Sequence, residues 1–161
     1  MAFNQTDLLA ILSDDNVISV VNVVTMRLVQ ELKGHEVGIT SIAFSRNNLL
    51  ASGSRSGKVH VWETESWSLV KKLVIEFAAG RFCFPNGFVN SVAFGPNEFL
   101  AAGLANGSVL VWNTETWESS YWFEQEGEEG GYMNVLFNGN RLISAIRNRV
   151  FIWKERTGSF N

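Results

Sequence analysis

The chain has 161 residues, 46% of them hydrophobic, with 14 glycines, 2 prolines and a formal charge of −3. A compact chain of this length buries roughly 70% of its unfolded surface, enough for a sizeable core, and the composition excludes the disordered and fibrous classes. The mild negative charge argues against a phosphate-binding stripe, and the single cysteine, Cys83, excludes an intrachain disulfide and points to a reducing compartment.

Strand-like segments follow one another along the chain, broken by turn chemistry every eight to ten residues or so, and no helical period competes. The first unit reads as strands over 7–13, 17–23 and 27–33, with Asp14-Asp15-Asn16 at the first turn. The second has strands over 39–45, 49–55, 58–64 and 68–75. The third repeats this over 89–95, 99–105 and 108–114, with a last strand near 118–124. Its Asn106-Gly107 turn favours the left-handed dihedrals of a two-residue hairpin. The fourth unit has strands over 132–137, 141–147 and 149–155 and, with only TGSFN after it, no fourth strand.

The units are copies of one another. SIAFSRN at 41–47 returns as SVAFGPN at 91–97, and each phenylalanine precedes a strand tryptophan by 18 residues. With Val21 in the tryptophan's place, the third-strand markers Val21, Trp62, Trp112 and Trp153 lie 41, 50 and 41 residues apart. The longer interval holds an insertion at 76–88, EFAAGRFCFPNGF.

A period near 40 to 45 residues with four strands per unit is the signature of propeller blades. Gly34-His35 through Trp62-Glu63 matches the GH…WD pattern, and from about residue 7 to 156 the chain resembles the WD-repeat family of β-propellers. The resemblance implies an all-β fold of four-stranded antiparallel blades in units 7–33, 34–75, 89–124 and 132–156. It also implies a hydrogen-bonded network of His35, Ser52, Ser56 and Trp62, with Ser56 where the family has aspartate. Asn106 holds that place in the third unit and Asp15 in the first, and no unit carries the full set.

Fourteen predicted strands make about three and a half blades, whereas propellers close with four to eight. The expectation is a partial propeller, about half a ring, with an apolar flank bare at each end. A second copy or partner chain completing the ring, a longer propeller of which this is a segment, and a divergent four-bladed ring all remain open.

No constellation for catalysis, cofactor or metal stands out. Gly53-Ser54-Arg55-Ser56-Gly57 has arginine where a nucleophile elbow needs serine, and Cys83 has no neighbouring ligand. His35 reads as structural, and His60 as a blade-face residue on the opposite side of its strand from Val59 and Val61. The glycines at 127–131 sit among Glu124, Glu126, Glu128 and Glu129, a solvated tip rather than a phosphate cradle.

The expected function is a non-catalytic scaffold that holds other proteins or peptides on the loops of its top face. Arg81, Phe82, Phe84 and Phe88 of the aromatic insertion are the expected contacts, with Arg55 beside them; the same rings could instead plug the channel. Trp67 and Trp117, at matching turns on the bottom face, form a second candidate site. RNA is the alternative partner, through Arg141, Arg147, Arg149, Lys154 and Arg156. Residues 1–6 have no signal-like pattern and no apolar run reaches spanning length, so a cytoplasmic or nuclear protein without a membrane partner is expected.

Overall fold

The computed structural model describes residues 1–4, 6–13, 16–75, 87–123, 131–156 and 159–160. These build four antiparallel four-stranded sheets, each in chain order. The first blade holds β1 (Ala2–Phe3), β2 (Leu8–Leu12), β3 (Val17–Asn22) and β4 (Arg27–Lys33). The second holds β5 (Ile39–Phe44), β6 (Leu49–Ser54), β7 (Lys58–Glu63) and β8 (Leu69–Val74). The third holds β9 (Val89–Phe94), β10 (Phe99–Leu104), β11 (Val109–Asn113) and β12 (Ser119–Phe123). The fourth holds β13 (Met133–Asn138), β14 (Arg141–Ile146), β15 (Arg149–Arg156) and β16 (Ser159–Phe160).

The expected three-stranded first and fourth units are therefore corrected to four strands each. The additional strands, β1 and β16, are two residues long, too short to show a period of two. A signal for β1 exists all the same: AFNQTDLLA at 2–10 runs parallel to AFSRNNLLA at 43–51. The structure pairs them alike, with Phe3 opposite Leu9 as Phe44 is opposite Leu50.

The inner strands β1, β5, β9 and β13 stand side by side around an axis. Among the described residues no contact of like extent joins β13 back to β1, so the blades form an arc. Short polar side chains tie the inner strands together. The Val92 amide donates to Ser41 Oγ at 3.1 Å, and the Val135 amide to Ser91 Oγ at 3.3 Å.

The core lies between blades. Ala10, Ile18, Val20, Ile42, Leu50 and Trp62 fill the first junction. Ala51, Val59, Val61, Leu100 and Trp112 fill the second, and Ala101, Val109, Val111, Leu142 and Trp153 the third. Blades touch so closely that a Cβ on Gly53 would stand 2.3 Å from Val89 Cγ1, and one on Gly103 2.6 Å from Met133 Cγ. Val21 does hold the tryptophan's place: a bulge falls between Val20 and Val21 as between Val61 and Trp62 and between Val111 and Trp112.

Candidate functional site

We call the end carrying the β6–β7, β10–β11 and β14–β15 turns the top. There the first residues of three blades and two of these turns enclose a cleft of about 410 Å³ lined by Thr40, Arg55, Phe88, Asn90, Ala105, Gly131 and Tyr132. Its walls are set by backbone bonds, two within a blade and one between the third and fourth blades. The Arg55 amide donates to Gly38 O at 3.0 Å, the Ala105 amide to Phe88 O at 2.9 Å and the Gly131 amide to Ala105 O at 2.8 Å. Asn90 Nδ2 donates to Gly131 O at 2.9 Å, and Thr40 Oγ1 shares its one proton between Val89 O and Gly53 O, so these two wall donors are already engaged.

Three side chains remain to meet a ligand. Arg55 is exposed at its turn, Phe88 is half-buried, and Tyr132 is 81% exposed. A guanidinium beside two rings can accept a carboxylate and cover an apolar side chain at once. Of the expected contacts, the structure thus brings Arg55 and Phe88 together. Arg81, Phe82 and Phe84 lie outside the described residues.

Tyr132 escaped the sequence reading, although it precedes β13 by one residue as Phe88 precedes β9. Trp67 and Trp117 lie at the opposite end. Both are half-buried at positive φ, 56° and 59°, where the family commonly has glycine. Trp67 packs against the first junction and Trp117 against the second, so each roofs its own junction. Trp67 also lines an open groove with Leu28, Leu32 and Leu69.

The histidines form a separate, buried site. His35 Nε2 lies 2.6 Å from Ser52 Oγ, and the His35 ring stacks on His60 at 4.0 Å and 14°. Trp62 meets both rings edge-on, at 6.0 and 5.6 Å. Ser56 does not join this network as the family pattern implied; its hydroxyl bonds Ser54 Oγ at 2.7 Å instead. That leaves Nδ1 of His35 and of His60 buried without a partner. Burial is the first cause holding both imidazoles down at about 4, reinforced at His35 by His60 and at His60 by Lys72 and Lys58. The pair stays neutral at physiological pH and acts as packing. In the fourth blade the serine at the place of Ser52 bonds the tryptophan instead, Trp153 Nε1 donating to Ser144 Oγ at 3.1 Å.

Among the described residues no group of three or more His, Cys, Asp or Glu comes together as a metal would need, and no helix is long and apolar enough to cross a membrane.

Residues 26–63 and 81–113 match the model of the WD domain, G-beta repeat. Over 84 residues, half of this chain, the sequence is 36% identical to Topless-related protein 1 of Arabidopsis thaliana and 32% identical to Protein TPR3 of Oryza sativa subsp. japonica. Those matches cover 8% and 7% of the two proteins, so the chain spans less than a tenth of the relatives it matches. Among solved structures, Sqt1 of Saccharomyces cerevisiae superposes with a TM-score of 0.79 at 19% identity, over 98% of this chain and 45% of that one. The repeats, the four-stranded blades and these likenesses converge: the chain carries WD repeats, folded as an arc of β-propeller blades.

Proposed function

We propose that this chain is a non-catalytic scaffold that holds other proteins or peptides, as WD-repeat proteins do as a class, working as a subunit of a larger assembly or as part of a longer propeller, and that its ligand is a peptide segment seated in the top cleft. The carrying observation is the convergence of Arg55, Phe88 and Tyr132 from three successive blades on one concave site. Arg55 supplies the only formal charge among the described residues lining it, so a segment with an acidic side chain or terminal carboxylate next to an apolar residue fits best.

The RNA alternative draws less support from the fold. Arg141 and Lys154 sit opposite each other at the bottom of the fourth blade, whereas Arg147 and Arg149 lie at its top, so the charges do not line one stripe.

Selection from a displayed peptide library, followed by titration of the enriched peptides, tests the proposal. Enriched sequences should pair an acidic group with an apolar residue. Arg55→Ala and Tyr132→Ala should each weaken binding by at least about tenfold without loss of the β-sheet spectrum. Equal binding by both variants would remove the cleft as the site.

A further inference from the structure

We propose that the two end faces of the arc are complementary, and that a second copy of this chain seats its first blade on the fourth blade of the first, two copies completing one ring. Every internal junction is built from the same parts. The β-branched pairs Ile18/Val20, Val59/Val61 and Val109/Val111 hold equivalent register positions and are 0% exposed. Their fourth-blade counterparts, Val150 and Ile152, are 65% and 59% exposed. Asn134, in the place of Ser41 and Ser91 that tie successive inner strands, is exposed too. At the other end Phe3 and Ile11 are exposed, and Met26 is bare where Trp67 and Trp117 roof their junctions.

Size decides what covers these faces. In each junction one tryptophan shares the apolar cluster with an alanine pair of the preceding blade: Trp62 with Ala2 and Ala10, Trp112 with Ala43 and Ala51, Trp153 with Ala93 and Ala101. The fourth blade carries Leu136 and Ile143 in place of that alanine pair. The first blade carries Val21 in place of the tryptophan. Bulk added on one free face is removed from the other, and close packing requires such compensation only where the two faces meet.

Charge follows the same rule. Arg141 occupies the position from which Leu49 and Phe99 enter their junctions, with Lys154 directly opposite, an unfavourable pair when alone. Asp7 occupies the place of Glu98, as the matching bonds from the Val23 and Thr114 amides show. Glu98 is the residue that accepts from Asn47 of the blade before it. Seated on a fourth blade, Asp7 comes to Arg141. The arc matches slightly under half of a propeller chain, so two arcs make up nearly a whole one. A head-to-tail contact repeated about a two-fold axis closes rather than polymerises.

Sedimentation velocity on the full chain at micromolar concentrations tests this, with the β-sheet spectrum recorded for each variant. A species of twice the 18.0 kDa chain mass is expected. Ile152→Asp should return it to monomer. Arg141→Glu should raise the dimer dissociation constant by at least about tenfold, and adding Asp7→Lys should restore it. This exchange of surface charges reads the contact even if Ile152→Asp unfolds. A monomer at every concentration, a dimer insensitive to Ile152→Asp and Arg141→Glu, or open-ended polymers would each overturn the proposal. None of these residues lines the top cleft, so the result is separate from peptide binding.

Discussion

His60 lies directly across the sheet from Ser52, and that register place is filled by Leu110 in the third blade and Phe151 in the fourth. An imidazole is therefore doing a hydrocarbon's work, which it can do only while neutral. The sequence placed His60 on the correct face of β7 but could not pair it with His35, because the stacking partner comes from the loop ahead of β5. Both folded-state values lie near 4, below the ordinary 6.5. As pH falls below about 6.5 the unfolded chain takes up protons that the fold refuses. Stability is thus complete above that pH and declines between about 6.5 and about 4. Over that window each histidine contributes a slope of up to about 1.4 kcal/mol per pH unit. Urea midpoints measured from pH 7.5 to 4.5 should show the decline, and His60→Leu should keep the fold while removing about half of this slope. An unchanged slope in His60→Leu would place the proton uptake elsewhere.

At the scale of strands, what was legible was what repeats over six residues or more. SIAF and SVAF announced β5 and β9, and the Val-x-Val-Trp strands announced β7 and β11. Two-residue strands escaped, since Ala2–Phe3 and Ser159–Phe160 carry no alternation of their own and are held by their neighbours' pairing. Glycine shows a second limit. Gly53 and Gly103 fall inside the predicted strands, but that the next inner strand presses on them, so that a side chain has no room there, shows only in the structure. Gly103→Ala would drive a methyl into Met133, whose Cγ stands 2.6 Å and whose carbonyl oxygen 2.9 Å from the built Cβ. Because a backbone atom is among the obstacles, a rotamer change alone cannot relieve it. A loss of roughly 1–3 kcal/mol is expected from chemical denaturation. Gly139→Ala, at a turn with open space around it, should cost only the strain of its positive φ.

For the whole molecule, the count of strands pointed to an open arc, but what the ends demand became visible only with register, because compensation between Val21 and Leu136 needs both faces on one map. An arc of blades is quasi-one-dimensional, and its stability is a sum of blade terms and junction terms. The second and third blades have both faces covered, while the first and fourth have one. β6 and β10 are nearly or wholly buried, whereas β4 is exposed at all but Leu32. Opening the first blade breaks one junction, and opening the third breaks two. Local openings should therefore start at the ends and spread inward. Native-state hydrogen exchange on dilute protein, where association is minimal, should show amides of β6 and β10 exchanging at least about tenfold more slowly than those of β2, β3 and β14. Uniform protection across the four blades would mean that the arc unfolds as a single unit, and that junctions contribute less than the blades themselves.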